Sequence, residues 1–165
     1  MKTNPLKRLH VKKGEFLQRG GELNTKVYRV HSGLLRSFCV DEKGREHIFM
    51  FAPEGWIIAD STPPDVPSSL YIEALEDSLV VVSEKRLDVK TIDFKRIVRR
   101  MEALQYRVIM LMSSSALERY EDFVKTYPDI VQRVSQKMIA SYLGITPQAL
   151  SKVKRELYER RSKGL

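Results

Sequence analysis

The chain has 165 residues, 42% of them hydrophobic, which is enough to bury a core in one large domain or two small ones. Its single cysteine, Cys39, excludes an intrachain disulfide and a thiolate cluster for zinc or iron–sulfur, and no stretch approaches the roughly 20 apolar residues of a membrane span. The net charge of +8 is concentrated towards the end, where the segment from Arg133 onward has eight basic residues and two acidic ones.

Short apolar runs separated by turn residues fill the chain from Leu6 to Ser83, without a long helical period. We predict an antiparallel β domain over residues 1–90, because regularly spaced turns are typical of a sandwich, barrel or roll. The candidate strands are Lys7–Lys12, Lys26–His31, Leu34–Val40, Arg45–Phe51, Trp56–Ile58, Leu70–Leu75 and Leu79–Ser83. The turn residues between them are Gly14, Gly20-Gly21, Gly33, Asp41–Gly44 and Pro53–Gly55.

A proline-rich stretch, ADSTPPDVPSS, interrupts the strand pattern between Ala59 and Ser69. Three prolines in eleven residues predict a loop. Loops on a β scaffold often carry ligand contacts, but a proline-rich loop also serves as a rigid spacer. The residues do not decide between these two interpretations.

A long helical segment is predicted from Lys90 to Tyr127, ended by Pro128, and residues 91–127 form the predicted dimerisation helix. An apolar stripe at alternating spacings of four and three residues runs along it, through Ile97, Met101, Leu104, Val108, Leu111 and Ser115. Alone, such a stripe favours packing inside its own subunit. Its length and its period of 3.5 residues, with further apolar surface from Ile109, Met110 and Met112 for the β domain, favour a homodimer joined along this helix.

The stretch from Gln136 to Arg155, within the last predicted region, 128–165, has the residue order of a helix-turn-helix. Apolar residues at helical spacing predict two short helices around a small core, namely Ile139, Leu143, Ile145, Leu150 and Val153. Ala140 is expected where the helices cross, and Gly144 where the first helix ends. Thr146 and Pro147 are typical of a helix start.

The second of these helices is predicted to carry Gln148, Ser151, Lys152 and Arg155 on its outward face, within reach of a DNA major groove. The Gln148 amide suits an adenine edge, and Lys152 and Arg155 suit guanine acceptors or phosphates. The complete predicted DNA-binding set is Gln136, Lys137, Thr146, Gln148, Ser151, Lys152, Lys154 and Arg155. The plainer alternative is an antiparallel helix pair with a solvated charged face.

A β roll followed by a long helix and a helix-turn-helix resembles the CRP/FNR family of bacterial transcription regulators, over nearly the whole chain. The resemblance rests on VKKGEFLQRGG, KVYRVHSGLL and FAPEGWI in the first domain and on IASYLGITPQALSKVKREL, which looks like the variant of short Bacteroidetes-type members. It implies an α+β protein with a jelly-roll, cyclic-nucleotide-binding-like sensor. It also implies a dimer that binds two-fold double-stranded DNA and contacts or blocks RNA polymerase.

The chain departs from the nucleotide-binding members of that family in the phosphate cassette. Ala59-Asp60 and Ser68-Ser69 match the positions of the family's Gly-Glu and Arg-Ser pairs, and the resemblance places Trp56 beside them in an effector pocket. Asp60 could accept from a ribose hydroxyl, but Ser68 lacks the charge and fork of a guanidinium. We therefore expect no cofactor, and no cyclic AMP or GMP binding by the family's mode. We also expect no N-terminal helix before the roll and no clear wing after the reader, which implies either weaker operator binding or a truncated chain.

The function class is predicted to be a cytoplasmic transcription regulator, since the start of the chain does not have the pattern of a signal peptide. The alternative is a non-catalytic ligand-binding or protein-interaction module whose terminal helices dock on a partner. An enzyme is not expected, because the sequence offers no nucleophile–base pair, phosphate-cradling glycine loop or metal spacing. His10, His31 and His47 stand singly and are predicted to be structural or surface residues, with no metal site.

Overall fold

The computed structural model describes residues 7–85 and 94–162, with the side chains of residues 96 and 161 left aside. These residues form eight strands followed by five helices, and the chain divides near residue 86 into two compact units, called here the β unit and the helical unit. The predicted α+β class is confirmed. The predicted helix start at Lys90, the predicted boundary between residues 90 and 91, the segment Met1–Leu6 and the basic Lys163 lie outside the described residues.

The β unit consists of two antiparallel sheets with four strands each. The first has the order β1-β8-β3-β6 and the second the order β2-β7-β4-β5. The strands are β1 Lys7–Val11, β2 Phe16–Gln18, β3 Val27–Ser32, β4 Leu35–Val40, β5 Glu46–Ala52, β6 Ile57–Ile58, β7 Tyr71–Ala74 and β8 Ser78–Ser83. Seven of them match predicted strands to within one residue at each end. Strand β2 was not predicted, because three residues are too short for a period of two to be recognised.

Alternation of apolar and polar residues sends one face of each sheet into a shared core. In β3, Tyr28 and Val30 are buried while Arg29 between them is exposed, which is the period of two that a half-buried strand requires. The core cluster takes side chains from both sheets, among them Val30, Val80, Leu35, Ile72 and Ala74. The two sheets therefore bury their inner faces against each other.

Gly33 forms the tight connection between β3 and β4. Its φ of +93° is in the left-handed region, and a Cβ built on it would overlap the Ser78 Oγ and lie 2.8 Å from the Asp77 carbonyl oxygen. A side chain at this position therefore meets both backbone strain and a steric clash. The turn glycine that the sequence predicts here is required on both counts.

The helical unit contains α1 Phe94–Ser113, α2 Ala116–Thr126, α3 Ile130–Arg133, α4 Gln136–Leu143 and α5 Pro147–Ser162. The prediction of one continuous helix up to Tyr127 was wrong, because the chain breaks at Ser114 and Ser115. The Ser115 side chain accepts from the Glu118 N–H, and the Glu118 carboxylate accepts from the Ser115 N–H at 2.7 Å. This capping box starts a new helix, so Ser115 is the N-cap of α2 and not a member of the apolar stripe of α1.

The core of the helical unit lies between α2, α4 and α5. Its fully buried side chains are Phe123, Ile130, Ile139, Leu143 and Leu150. Helix α2 ends at Thr126, just before Pro128, as the sequence predicts. Helices α4 and α5 therefore pack against each other and against α2.

Candidate nucleic-acid interface

Helices α4 and α5 are joined by a turn of three residues, Gly144 to Thr146. Gly144 has φ 66° and ψ 32°, the left-handed cap conformation, and its N–H donates to the carbonyls of Ala140 and Ser141. The Ile145 N–H donates to the Ala140 carbonyl at 3.0 Å. These bonds pair two of the end carbonyls of α4, so the chain reverses sharply without exposing them.

The start of α5 is capped as the sequence predicts. The Thr146 Oγ1 accepts from the Ala149 N–H at 3.1 Å, and Pro147, which has no N–H to satisfy, is the first residue of the helix. Ala140 is buried with 1% exposure, which confirms a small residue in the core between the helices. The other apolar residues predicted for this core are buried, and Ile145 is half-buried at its edge.

Four polar residues share one exposed side of α5, and this set is called the recognition face: Gln148, Ser151, Lys152 and Arg155. Gln148 and Lys152 are four residues apart, as are Ser151 and Arg155, so all four side chains project from the same side of the helix. The Ser151 Oγ donates to the Pro147 carbonyl at 3.0 Å, and the Arg155 Nε lies 3.9 Å from the Glu159 carboxylate, a loose contact between exposed groups. The recognition face therefore has an amide and two cations on the surface.

The other predicted DNA-binding residues lie around this face. The Lys154 Nζ donates to the Gln136 Oε1 at 3.2 Å, a hydrogen bond that joins α5 to the first turn of α4. Lys137 is exposed beside Gln136, and the Thr146 hydroxyl serves as the cap of α5. The structure thus brings Gln136 and Lys154 into contact with each other, beside the recognition face and not on it.

Helix α1 exposes much of its predicted stripe, called here the α1 stripe: Ile97, Met101, Leu104, Val108 and Leu111. The exposed fractions are 44% for Ile97, 64% for Met101 and 55% for Val108, while Leu104 and Leu111 are half-buried. Of the residues predicted on other faces, Met110 is buried, and Ile109 and Met112 are exposed. A run of exposed apolar side chains on one face is unusual for an isolated subunit.

The predicted effector pocket is organised around Asp60, which is paired with Lys85. The Lys85 Nζ lies 2.5 Å from the Asp60 Oδ1, and the two side chains are 11% and 2% exposed. The Thr62 N–H and hydroxyl also donate to Asp60. Burial opposes the charge of Asp60, but the hydrogen bonds from Lys85, Thr62 and Thr25 outweigh it and hold the pKa of Asp60 well below its ordinary value.

Ser68 is buried and held by Gln18, which lies on β2. The Gln18 Nε2 donates to the Ser68 Oγ and to the Leu70 carbonyl, both at 2.8 Å. Of the remaining predicted pocket residues, Ser69 and Trp56 are exposed and Ala59 is half-buried. Sequence reasoning missed both Gln18 and Lys85, and neither has a local signal, because each meets its partner across a distance of 25 or more residues in the chain.

Comparison with known proteins relates both units to one class of regulators. The family model described as the cyclic nucleotide-binding domain matches residues 8–87. The transcriptional activator protein Anr of Pseudomonas protegens is 25% identical over 163 residues, covering 87% of this chain and 67% of that protein. The structure of FixK2 from Bradyrhizobium japonicum has a TM-score of 0.74 at 23% identity, covering 96% of this chain and 86% of that one. The chain therefore has the fold of FixK2, and its β unit matches the cyclic nucleotide-binding domain.

A second solved structure has the same fold as this chain. A CRP/FNR transcriptional regulator from Thermus thermophilus has a TM-score of 0.72 at 17% identity, covering 93% of this chain and 87% of that one. In residues 7–85 and 94–162, no helix is long and apolar enough to cross a membrane, and no group of three His, Cys, Asp or Glu residues is arranged to hold a metal.

Proposed function

We propose that this chain is a regulator of the CRP/FNR type, a sequence-specific transcription regulator that binds double-stranded DNA as a homodimer. The observation that carries the proposal is the recognition face of α5, an exposed line of Gln148, Ser151, Lys152 and Arg155 directly after a capped three-residue turn. A helix of this kind fits the width of the major groove, where its first turns meet the base edges.

The chemistry of the recognition face assigns a role to each side chain. The amide of Gln148 is able to accept from N6 and donate to N7 of one adenine, which makes it the base reader. Lys152 and Arg155 donate either to guanine O6 and N7 or to phosphate oxygens. We assign Gln136 and Lys137, in the first turn of α4, to contacts with the phosphate backbone beside this groove, and the hydrogen bond from Lys154 orients the Gln136 side chain.

The charge distribution of the helical unit supports the proposal. From Arg133 onward, eight basic residues stand against two acidic ones. Each phosphate neutralised by such a cation releases a condensed counterion, so binding should weaken steeply as salt is raised. A partner protein docking on the same helices would not require this excess of positive charge.

The α1 stripe supports a homodimer. Its exposed Ile97, Met101 and Val108 recur at the spacing that two parallel helices bury against each other. Two copies related by a two-fold axis would present two recognition faces to a palindromic operator. The bound dimer would act on transcription by contacting RNA polymerase or by blocking it.

We also propose that the sensor does not bind cyclic AMP or GMP in the manner of the nucleotide-binding members. The carboxylate of Asp60, which would meet the ribose, is engaged by Lys85 inside the β unit, and Ser68 has no charge to offer a cyclic phosphate. Equilibrium dialysis of the purified protein against cyclic AMP and cyclic GMP should show no saturable binding. Saturable binding that Lys85→Met or Asp60→Asn alters would contradict this part of the proposal.

DNA binding is tested by selection from a random double-stranded library, followed by binding titrations over a range of salt concentrations. The wild type should enrich a two-fold sequence. Gln148→Ala should relax one base position in each half-site. Lys152→Ala with Arg155→Ala should reduce the slope of the logarithmic salt dependence by about two per subunit, hence about four for the dimer, if both side chains contact phosphate. Lys13→Ala with Lys43→Ala, which removes the same charge from exposed positions on the β unit, is the matched control.

Binding that ignores salt, or that survives the combined replacement of Gln148, Lys152 and Arg155 by alanine, would reject the DNA-binding proposal. The dimer is tested separately by sedimentation equilibrium. Met101→Glu should give monomers, because it places a charge in the apolar stripe, while Ala103→Glu, which is exposed and off the stripe, should leave the dimer intact. A wild-type monomer would reject the dimer.

A further inference from the structure

Two arginines connect the end of α1 to the end of α4, and α4 is the first helix of the proposed DNA reader. Arg119, on α2, is half-buried and uses three of its N–H groups. Its Nη2 donates to the Leu111 carbonyl at 2.7 Å, its Nε to the Ser114 carbonyl at 3.1 Å and its Nη1 to the Leu143 carbonyl at 3.2 Å. One guanidinium therefore holds the last turns of two different helices.

Arg107 makes the second connection, directly from α1. Its Nη2 donates to the Tyr142 carbonyl at 2.9 Å, and its guanidinium lies over the Tyr142 ring, 3.7 Å from the ring centre. The Tyr142 ring is itself fixed by an edge contact with Tyr127, at a centroid distance of 5.6 Å, and by Phe123 at 5.3 Å. Arg107 therefore stacks on a ring that the core of the helical unit already holds in place.

The arginines donate to backbone carbonyls at the C-terminal ends of α1 and α4. The cap at Gly144 pairs the Ala140 and Ser141 carbonyls of α4, and Arg107 and Arg119 donate to those of Tyr142 and Leu143. In α1, the Leu111 carbonyl loses its helical donor because the Ser115 N–H bonds to the Glu118 carboxylate. The C-terminal ends of helices carry partial negative charge on their free carbonyls, to which a guanidinium donates with a rigid fork of N–H groups.

We infer that Arg107 and Arg119 are positioning residues that fix the angle between α1 and the reader, and thereby set the distance between the two half-sites that the dimer accepts. The inference rests on the proposed function, because half-site spacing exists only for a dimer that binds DNA. If α1 holds the two subunits together, any slack between α1 and α4 is passed on to the recognition faces. Rigid connection restricts binding to operators whose half-sites match the fixed separation.

The experiment is a library selection in which the spacing of the half-sites is the readout. Full-length wild type and Arg119→Gln are each used to enrich a random double-stranded library, and affinities are then measured for single half-sites and for paired half-sites at several spacings. The wild type should enrich paired half-sites at one spacing. Arg119→Gln should enrich the same half-site sequence at several spacings, with its preference for the wild-type spacing reduced about tenfold, comparable to the loss of one base-pair contact.

Two further variants and a control make the result specific. Arg107→Gln should broaden the spacing in the same way, because it cuts the direct connection from α1. Arg119→Lys keeps the charge but has a single donor nitrogen, so it cannot make all three hydrogen bonds. It replaces Arg119→Gln if that variant does not fold, and it should broaden the spacing in the same way. Lys125→Gln removes one charge from an exposed position on the same helix α2 and should keep the wild-type spacing.

The outcomes separate this inference from the proposed function. Unchanged spacing in folded Arg119→Gln and Arg107→Gln would overturn the inference alone, and so would a loss of single half-site affinity that simply follows a fall in helix content. Failure of the wild type to enrich any sequence would overturn the proposed function, and the inference with it. Broadened spacing with half-site affinity kept within about twofold would establish the positioning role, because loss of a base contact costs more.

Discussion

Replacing Lys85 with methionine should destabilise the β unit much more than removing a surface cation. Methionine has a similar length but no charge, so Asp60 would keep its carboxylate in a buried site with only threonine donors nearby. Lys85 also donates to the Thr25 hydroxyl at 2.5 Å and to the Thr62 carbonyl at 3.0 Å, and both bonds would be lost. The polar cluster would then contain one uncompensated negative charge.

The magnitude follows from the burial of the pair. Removing one member of a buried ion pair costs about 3–5 kcal/mol, and the 11% exposure of Lys85 places this pair near the lower end. A loss of roughly 3 kcal/mol corresponds to a fall in the melting temperature on the order of 10–20 °C for a unit of this size. Such a loss is a large part of the stability of an ordinary domain.

The contribution of Asp60 to the free energy of unfolding should also depend on pH, in opposite directions for the wild type and Lys85→Met. In the wild type the pKa of Asp60 is lowered, so its contribution to stability is present above its ordinary pKa of 3.8 and is lost as pH falls towards the folded value. In Lys85→Met the strongest hydrogen-bonding partner of Asp60 is lost, so we expect burial to raise the pKa of Asp60 relative to the wild type. Its penalty is then full at neutral pH and is relieved as protonation begins, so the difference in stability from the wild type should shrink on acidification.

The assay is urea denaturation followed by the fluorescence of Trp56, the only tryptophan of the chain, which lies in the β unit. Lys26→Met is the matched control, because the Lys26–Glu84 pair, with side chains 34% and 62% exposed, is a surface pair worth about 0–1 kcal/mol. Asp60→Asn added to Lys85→Met should restore part of the stability. If Lys85→Met costs no more than Lys26→Met, and its cost does not change with pH, the reasoning is refuted.

Three smaller predictions concern the backbone and the helix core. Gly33→Ala should cost several times more than Gly44→Ala in thermal melts, because both have positive φ but only Gly33 faces a clash, whereas nothing lies within 4 Å of a Cβ at Gly44; equal costs would show that φ strain alone decides. Ser115→Ala should lower the stability of the helical unit by about 1 kcal/mol through loss of the N-cap, and an unchanged melting curve would contradict that role. Ala140→Leu should lower the free energy of unfolding by about 1–3 kcal/mol, because the larger side chain overpacks the α4–α5 core; an unchanged melting temperature in calorimetry would contradict this.

Local signals in the sequence were sufficient for much of this fold. The turn glycines and the alternation of apolar residues located seven strands, because both signals act within a few residues. The α4–α5 pair was predicted in detail for the same reason, since Gly144, Thr146 and Pro147 each determine a conformation at their own position.

The features that the sequence did not predict depend on contacts between distant residues or on competing local signals. The apolar period of α1 appeared to continue to Ser115, but the reciprocal bonds between Ser115 and Glu118 end one helix and begin another. The Asp60 carboxylate was expected to be able to accept from a ribose hydroxyl, because its partner Lys85 is 25 residues away in the sequence. Arg107 and Arg119 were not among the predicted site residues, since their partners are backbone carbonyls that carry no sequence signature.

The pairing of β1 with β8 has a consequence for the order in which the protein folds. Val11 is opposite Ser78, so the first sheet cannot be completed until the ribosome has made the chain through Ser83. Contacts between segments so far apart are slow to form, whereas the helical unit is built from neighbouring segments. We expect Trp56 fluorescence to recover more slowly than helical ellipticity in stopped-flow refolding, and the opposite order would contradict this. During synthesis, β1 and β3 remain unpaired on the side that β8 later occupies. The protein is therefore most prone to aggregation before β8 has been made.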